Sequence, residues 1–228
     1  MASLLHHPLC AFSRSIRLAL AECGVEAELN EEKPWEWRPE FLALNPAGTL
    51  PVLIPDDGPP IAGWYAISEW LSDTLDDRPI TAFQPFPGEA DARAEARRLV
   101  EWFHHKFHSE VTDYLVIEKV FRRFGPNSTS PDMDAMRAGR DNLRYHMAYI
   151  GHLTETRSWL AGDALSFADL AAAAHLSALD YIGEVPWEQF EAAKNWYALV
   201  KSRPSFRPLL LDRVAGFVPA GTYADLDF

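Results

Sequence analysis

Two residues near the start of the chain, Cys10 and Ser13, have the types and spacing of a thiol with a hydrogen-bond donor beside it. They open a helical pattern over residues 14–23, so the cysteine is expected at a helix N-terminus. Free N–H groups and the helix dipole favour negative charge there, which would stabilise a thiolate. The C-x-x-S pattern is short, and a structural thiol is the alternative that the motif alone leaves open.

A second candidate for chemistry is the stretch from Asn45 to Ile54, which places two prolines and a glycine around the start of an apolar run. Because proline cannot donate to a sheet ladder, Pro51 is expected at the first residue of a strand or in a tight turn. A proline that enters a strand from a turn is also where a cis peptide bond, here after Leu50, is favoured. The alternative is an ordinary turn that leads into a core strand.

Composition limits the classes of protein to which the chain can belong. The 228 residues suffice for one large or two small domains, and 48% of them are hydrophobic. There is no run of about 18 apolar residues that would predict a membrane span, and the N-terminus lacks the pattern of a signal peptide. The two cysteines fit a reducing compartment better than a disulfide scaffold. We therefore expect a cytoplasmic protein without a membrane partner.

The net charge of −12 argues against nucleic-acid binding, which requires a cationic face. No metal site is expected either. Basic residues do recur in three local groups, which we interpret as solvated helix faces, with a partner surface as the alternative. The groups are Arg93, Arg97 and Arg98; Lys119, Arg122 and Arg123; and Arg137, Arg140 and Arg144.

The elements that must position the candidate residues follow from local patterns. Seven short elements in the order β-α-β-α-β-β-α predict an α/β domain over residues 1–78. Gly24 is a candidate C-cap for the first helix. The elements are expected at residues 3–5, 14–23, 25–32, 33–44, 50–54, 61–62 and 64–75.

Residues 79–88 are rich in proline and phenylalanine and predict a linker, after which residues 89–228 form an all-helical domain. A long amphipathic helix comes first, and its apolar stripe is expected in the core. Ser166 and Asp169 have the spacing of a capping box, which places the start of a later helix at Phe167. A last helix is expected over 188–202. The stripe of the first helix consists of Leu99, Phe103, Phe107, Val111, Tyr114, Ile117, Phe121 and Phe124.

Together these motifs resemble the cytosolic glutathione transferases. The resemblance implies a thioredoxin-like N-terminal domain, an all-α C-terminal bundle and a homodimer. The segments 159–169 and 196–208 are similar to the capped core helix and the final-helix region of that bundle. The motifs similar to the thioredoxin-like domain are Cys10-x-x-Ser13 with Arg17, Asn45-Pro46-Ala47-Gly48-x-x-Pro51, and Ala66-Ile67-x-x-Trp70-Leu71.

The resemblance also assigns roles to residues. In the family, the positions of Cys10 and Ser13 contact or activate the glutathione sulfur, and the backbone of the residue at Leu50 holds the peptide. An acidic residue and a serine hold the charged γ-glutamyl end, but this chain has Gly63 and Trp64 there. Loss of two hydrogen bonds to charged groups costs about 3–6 kcal/mol, or roughly a hundred- to ten-thousand-fold in affinity. We therefore expect no useful glutathione binding, no cofactor and no catalysis.

A transferase fold with a damaged glutathione site points to a binding role. Several short peptides resemble a bacterial sub-family of glutathione-transferase-like cell-division proteins. Members of that sub-family bind filaments of the tubulin-like protein FtsZ, which implies an FtsZ partner and a place at the division site. The peptides are His6–Cys10, Glu32–Trp35, Gly63–Ile67 and the acidic-aromatic tail.

The partner surface is expected at Trp35 and Trp37, because exposed tryptophans are favoured interface anchors, with Arg207 and Asp227 supplying charge. At least one tryptophan packing under its own loop is the alternative. The tail that ends in Phe228 could dock on its own domain or on a partner, although disorder is the commoner outcome.

Two other functions stay open on the sequence alone. One is a glutathione-dependent transferase or reductase with Cys10 as the nucleophile and Ser13 beside it. The other is a binding module for a different protein, or for a small apolar ligand in the cleft between the domains.

Overall fold

A four-stranded sheet lies at the centre of the N-terminal part of the chain, in a computed structural model that describes residues 1–74, 83–122 and 129–226. The strands are β1 (Ala2–His6), β2 (Ala27–Glu31), β3 (Val52–Ile54) and β4 (Ile61–Ala62). Their order is β2-β1-β3-β4. β1 runs parallel to β2 and antiparallel to β3, which is antiparallel to β4.

Three helices complete this part of the fold: α1 (Ala11–Glu22), α2 (Pro39–Leu44) and α3 (Trp64–Thr74). A short 3₁₀ turn, Pro34–Glu36, lies between β2 and α2. The β-α-β-α-β-β-α order expected from the sequence is confirmed. The expected domain end at residue 78 and the first part of the linker lie outside the described residues.

The C-terminal part is helical, as expected. The first helix, α4, runs without a break from Ala90, and 3₁₀ turns at Trp187–Gln189 and Pro204–Phe206 precede the last two helices. None of the described helices combines the length and the apolarity that crossing a bilayer requires. After α4 come α5 (Met133–Thr154), α6 (Phe167–Tyr181), α7 (Glu191–Lys201) and α8 (Arg207–Leu210).

α4 is not a regular α-helix. It begins as α-helix at Ala90–Glu101, continues as π-helix at Trp102–Thr112, returns to α-helix at Asp113–Val116 and widens again at Ile117–Phe121. An apolar repeat of four residues drifts around an α-helix of 3.6 residues per turn, and the wider π turns keep that repeat on one face. The repeat Leu99, Phe103, Phe107, Val111 and Leu115 is therefore fully buried.

The same widening makes part of the predicted stripe wrong. Tyr114 and Ile117 were expected in the core, but both are exposed, and Leu115 and Val116 are buried in their place. Phe124, the last residue of the predicted stripe, lies outside the described residues.

α6 is buried along its whole length and packs against α1 of the N-terminal part. Its start at Phe167 and the capping box are confirmed: Ser166 Oγ accepts from the Ala168 N–H at 3.3 Å, and Asp169 Oδ2 accepts from the Ser166 N–H at 3.0 Å. Asp169 Oδ1 also accepts from the N–H of Leu160 at 2.8 Å and from Nε1 of Trp196 at 3.0 Å. The carboxylate thus joins three separate segments of the bundle.

The C-terminal segment docks on its own chain through Tyr223, so disorder was the wrong expectation for this part of the tail. The Tyr223 side chain is fully buried; its hydroxyl donates to the Leu209 carbonyl at 2.5 Å and accepts from Arg14 at 3.0 Å. Asp227 and Phe228 lie outside the described residues.

The buried carboxylate of Asp169 generates the first prediction. Replacement by alanine leaves three buried N–H donors without an acceptor, and each such donor costs about 1–3 kcal/mol. Asp169→Ala should therefore lower the free energy of unfolding by more than about 3 kcal/mol in urea denaturation. Asp132→Ala is the matched control, because Asp132 is the exposed N-cap of α5 and accepts from two backbone N–H groups. Equal losses in the two variants would contradict the prediction.

Candidate functional site

An apolar cleft of about 320 Å³ lies between the N-terminal part and the helical part. One wall comes from the segment after β1 and from the cis-proline loop, and the opposite wall comes from α4. The cleft is therefore open to a small apolar molecule, as one of the alternatives requires. Its lining includes His7, Cys10, Trp35, Leu50, His108, Thr112, Val116 and Phe121.

Cys10 lies at the mouth of this cleft as the N-cap of α1, as its position in the sequence predicts. Burial raises the pKa of the Cys10 thiol, although Ser13 and the backbone N–H of Phe12 act in the opposite direction. Desolvation penalises the thiolate more than the helix N-terminus favours it. Cys10 does lie at the helix N-terminus, where a thiolate would be stabilised, but the cost of burying the negative charge is larger.

The cis-proline loop has the expected form, with a cis peptide bond between Leu50 and Pro51. Asn45 holds the loop together: its Nδ2 donates to the Thr49 carbonyl at 2.8 Å, and its Oδ1 accepts from the Ala47 N–H at 3.2 Å. The part of the site that would hold a peptide backbone is thus built.

The part that would hold a charged γ-glutamyl group is different. Gly63 has a left-handed φ of +88°, and its N–H donates to the Pro51 carbonyl at 2.9 Å. Trp64 is half-buried as the first residue of α3, and its ring lies 4.6 Å from the ring of His104 on α4. These two positions therefore supply an aromatic contact between the two parts of the chain instead of a carboxylate and a hydroxyl.

Behind Trp64 a buried chain of hydrogen bonds crosses from α1 to α6. Ser15 Oγ donates to the Phe12 carbonyl at 2.8 Å and lies 3.1 Å from Nε2 of His104. Nδ1 of His104 lies 3.0 Å from Nε2 of His175, whose Nδ1 lies 2.8 Å from Thr112 Oγ1. One direction satisfies every group: His104 donates to Ser15, His175 donates to His104, and Thr112 donates to His175.

His104 and His175, the two histidines of this hydrogen-bond chain, are neutral. Burial lowers the pKa of His104 to about 3 and lowers the pKa of His175 well below its ordinary value. No motif in the sequence marks either residue. The available signal was His175 itself, a polar side chain in a helix that is otherwise apolar nearly all round. The described residues contain no cluster of acidic, histidine or cysteine side chains that could hold a metal ion.

The two tryptophans expected at a partner surface have different environments. Trp35 is 38% exposed, and its ring packs at 5.2 Å from His7 and 5.3 Å from Phe121, so it closes one end of the cleft. Trp37 is 63% exposed and lies beyond it. One tryptophan thus packs within the chain and the other is presented to solvent, and the role of both in binding a partner stays a prediction.

Charged residues around these sites are mostly paired. In the three basic groups, Arg97 binds Glu69, Lys119 binds Glu184, and Arg140 also binds Glu184, so these cations are already paired within the chain. Arg207 is exposed at the start of α8 and has no acidic partner within the described part of the chain. The structure does not describe Asp227, so its expected role stays a prediction.

The fold and the cleft define a class of protein. The family model for the glutathione S-transferase N-terminal domain matches residues 9–74, and the model for the C-terminal domain matches residues 112–204. The chain belongs to the glutathione S-transferase family.

Particular relatives cover the whole chain. FtsZ-localized protein A from Caulobacter vibrioides (strain NA1000 / CB15N) is 46% identical over 99% of this chain and 98% of its own length. The solved structure of FzlA from C. crescentus has a TM-score of 0.94 at 45% identity and covers 100% of this chain and 99% of the other. A glutathione S-transferase from Rhodospirillum rubrum F11 has a TM-score of 0.95 at 47% identity, with both chains covered completely.

The buried histidines predict a specific pH dependence of stability. His104 has a pKa of about 3 in the folded chain and about 6.5 when unfolded. Its contribution to stability is therefore complete above pH 6.5 and is lost as the pH falls toward 3. Each such histidine adds about 1.4 kcal/mol per pH unit to the slope of the unfolding free energy.

Between pH 6.5 and 5, His104→Gln should lower the slope of the unfolding free energy against pH by the contribution of about one proton. Urea denaturation at several pH values measures this slope. His105→Gln is the matched control, because His105 is the next residue along α4 and is exposed. A slope that His104→Gln leaves unchanged would show that this histidine is not held neutral by burial.

Proposed function

We propose that this protein is a non-enzymatic cell-division protein that binds FtsZ filaments through the surface around Trp37. The observation that carries the proposal is the full-length similarity, at 46% identity, to a protein called FtsZ-localized protein A. The protein acts in the cytoplasm at the division site, as a homodimer like the family that its sequence resembles. Neither nucleic acid nor membrane is a partner.

The state of the glutathione site supports a role without catalysis. Gly63 and Trp64 provide neither a carboxylate nor a hydroxyl for the γ-glutamyl group, and the indole of Trp64 packs against His104. Cys10 is a protonated thiol at neutral pH because burial raises its pKa. The loop with Pro51 therefore remains from a glutathione site whose charge-binding half is gone.

The surface around Trp37 supports a binding role. An exposed indole supplies a large apolar contact area, and tryptophan is enriched among the residues that dominate interface energies. Arg207 contributes a cation that is not already neutralised, whereas Arg38 near Trp37 is bound by the buried carboxylate of Glu32 at 2.6 Å. Trp35, partly exposed at one end of the cleft, adds apolar area to this surface, and Asp227 contributes an anion from the tail.

A glutathione-dependent transferase or reductase is the second candidate. One observation favours it: Cys10 lines the same cleft as Leu50 of the cis-proline loop, as a reacting thiol would. Similarity to a glutathione S-transferase from Rhodospirillum rubrum F11 also fits this candidate. Cys10 and Ser13 would then be the catalytic residues.

Co-sedimentation with polymerised FtsZ tests the proposed function. The wild-type protein should enter the pellet at micromolar concentrations, and Trp37→Ala should lower its affinity for filaments at least about tenfold, since a central aromatic anchor is lost. Melting of the variant should stay near that of the wild type, because the side chain is mostly exposed.

Tyr145→Ala is the matched control for this assay. Tyr145 lies on α5 with 61% of its side chain exposed, close to the value for Trp37. Its replacement should leave sedimentation unchanged. A wild-type protein that stays in the supernatant, or equal losses in the two variants, would overturn the proposed surface.

Titration calorimetry with glutathione separates the two candidate functions. We expect no heat of binding up to millimolar glutathione, because two charge-assisted hydrogen bonds worth about 1.5–3 kcal/mol each are missing. Thiol-conjugation and disulfide-reduction assays should give the same background rate for the wild type and for Cys10→Ala. A micromolar dissociation constant, or a rate that depends on Cys10, would favour the transferase.

A further inference from the structure

Trp37 has an unusual backbone conformation. Its φ of 49° and ψ of 40° lie in the left-handed region, and it is the one non-glycine residue with a positive φ among the residues that the structure describes. Bulky side chains rarely adopt this conformation, which persists only where the surroundings enforce it. The Trp37 N–H donates to the Pro34 carbonyl at 3.3 Å, so the residue ends the 3₁₀ turn.

The indole of Trp37 lies on the cis-proline loop. A Cβ atom added to Gly48 would be 3.1 Å from Cζ3 of Trp37 and 3.4 Å from Cδ2 of Leu42. Gly48 is buried even though Ala47 and Thr49 on either side of it are exposed, as expected if the ring covers it. The ring therefore fills the space that any side chain at position 48 would need.

The loop below the ring is held in place by its own hydrogen bonds. The Gly48 N–H donates to the Asn45 carbonyl at 2.9 Å, and the Asn45 side chain bonds Ala47 and Thr49. Gly48 has a φ of +64°, which glycine adopts without steric cost. The backbone at Gly48 is therefore fixed where it contacts the ring of Trp37, and most of the Trp37 side chain is otherwise in solvent.

We propose that Gly48 is a positioning residue for Trp37: the missing side chain lets the cis-proline loop fix the orientation of an exposed indole that binds the partner. This inference rests on the proposed function for the role of the indole in binding. The cis-proline loop then serves to position Trp37, in a chain that has Gly63 and Trp64 where the family binds the charged end of glutathione. Orientation matters because an anchor that is fixed before binding loses less conformational freedom in the complex.

A first experiment tests the contact without any partner. The protein is labelled with 5-fluorotryptophan, and the ¹⁹F resonance of residue 37 is assigned from its absence in Trp37→Phe. Gly48→Ala should shift this resonance, because the added methyl group displaces the ring. Gly58→Ala should not, since Gly58 has a similarly left-handed φ of +116° but its nearest neighbour, Pro55 Cγ, is 3.8 Å away. A resonance that Gly48→Ala leaves unchanged would overturn the proposal.

Leu42→Ala is a second variant in case Gly48→Ala does not fold. It removes a side chain whose Cδ2 lies 3.4 Å from the same Cβ position at Gly48, without changing a left-handed glycine, and it should shift the same ¹⁹F resonance. An unchanged resonance in this folded variant would also count against a fixed indole.

Co-sedimentation with FtsZ then tests the consequence for binding. Gly48→Ala should weaken binding about tenfold, as expected for a displaced aromatic anchor, and Gly58→Ala should bind like the wild type. The double variant Gly48→Ala/Trp37→Ala should bind no more weakly than Trp37→Ala alone, because Gly48 acts through Trp37. Additive losses would overturn the proposal. If Trp37→Ala binds FtsZ normally, the proposed function of the indole fails, while the ¹⁹F experiment still decides whether Gly48 positions it.

Discussion

The polar groups on the buried helix α6 must all find partners inside the protein, and much of the tertiary structure depends on this constraint. A buried polar group without a partner costs about 1–3 kcal/mol, and α6 has such groups along its whole length. Asp169 at its start binds Leu160, Ser166 and Trp196. Ser177 near its middle accepts from Arg14 of α1 at 2.8 Å.

The same constraint brings the end of the chain onto the core. Asp180, near the end of α6, accepts hydrogen bonds from the indole of Trp187 at 3.1 Å and from the Thr222 hydroxyl at 3.3 Å. Arg14 binds Tyr223 as well as Ser177. The residues that pair with the polar groups of α6 therefore also join α1 of the N-terminal part, the helical bundle and the C-terminal segment.

Trp64 shows how this packing bears on function. In the family that the sequence resembles, its position faces a charged end of glutathione; here the indole packs against His104, which is itself part of the hydrogen-bond chain to α6. The cleft keeps its apolar walls and its cis-proline loop. Trp37, at the end of the 3₁₀ turn, lies outside the cleft, and its ring packs against Gly48 of that loop. The one non-glycine residue with a left-handed backbone in the described part of the chain is thus on the surface rather than in the cleft.

The sequence by itself determined those features that depend on neighbouring residues. The order of strands and helices, the capping box at Ser166, the form of the loop at Pro51 and the absence of an acidic residue and serine at Gly63 and Trp64 are all local patterns. Local spacing also predicted the long helix α4, although the assumption of a uniform α-helical period misplaced Tyr114 and Ile117.

Only the tertiary structure decided the features that join distant parts of the chain. The pKa of Cys10 depends on its burial in the folded chain, and the chain of hydrogen bonds through His104 and His175 joins Ser15 to Thr112 with side chains from three helices. Tyr223 is fully buried, and its hydroxyl accepts a hydrogen bond from Arg14, more than two hundred residues earlier. The contact between Trp37 and Gly48 likewise requires the 3₁₀ turn to fold back on the loop. Such contacts follow from packing in three dimensions, which the periodicity of a single sequence does not record.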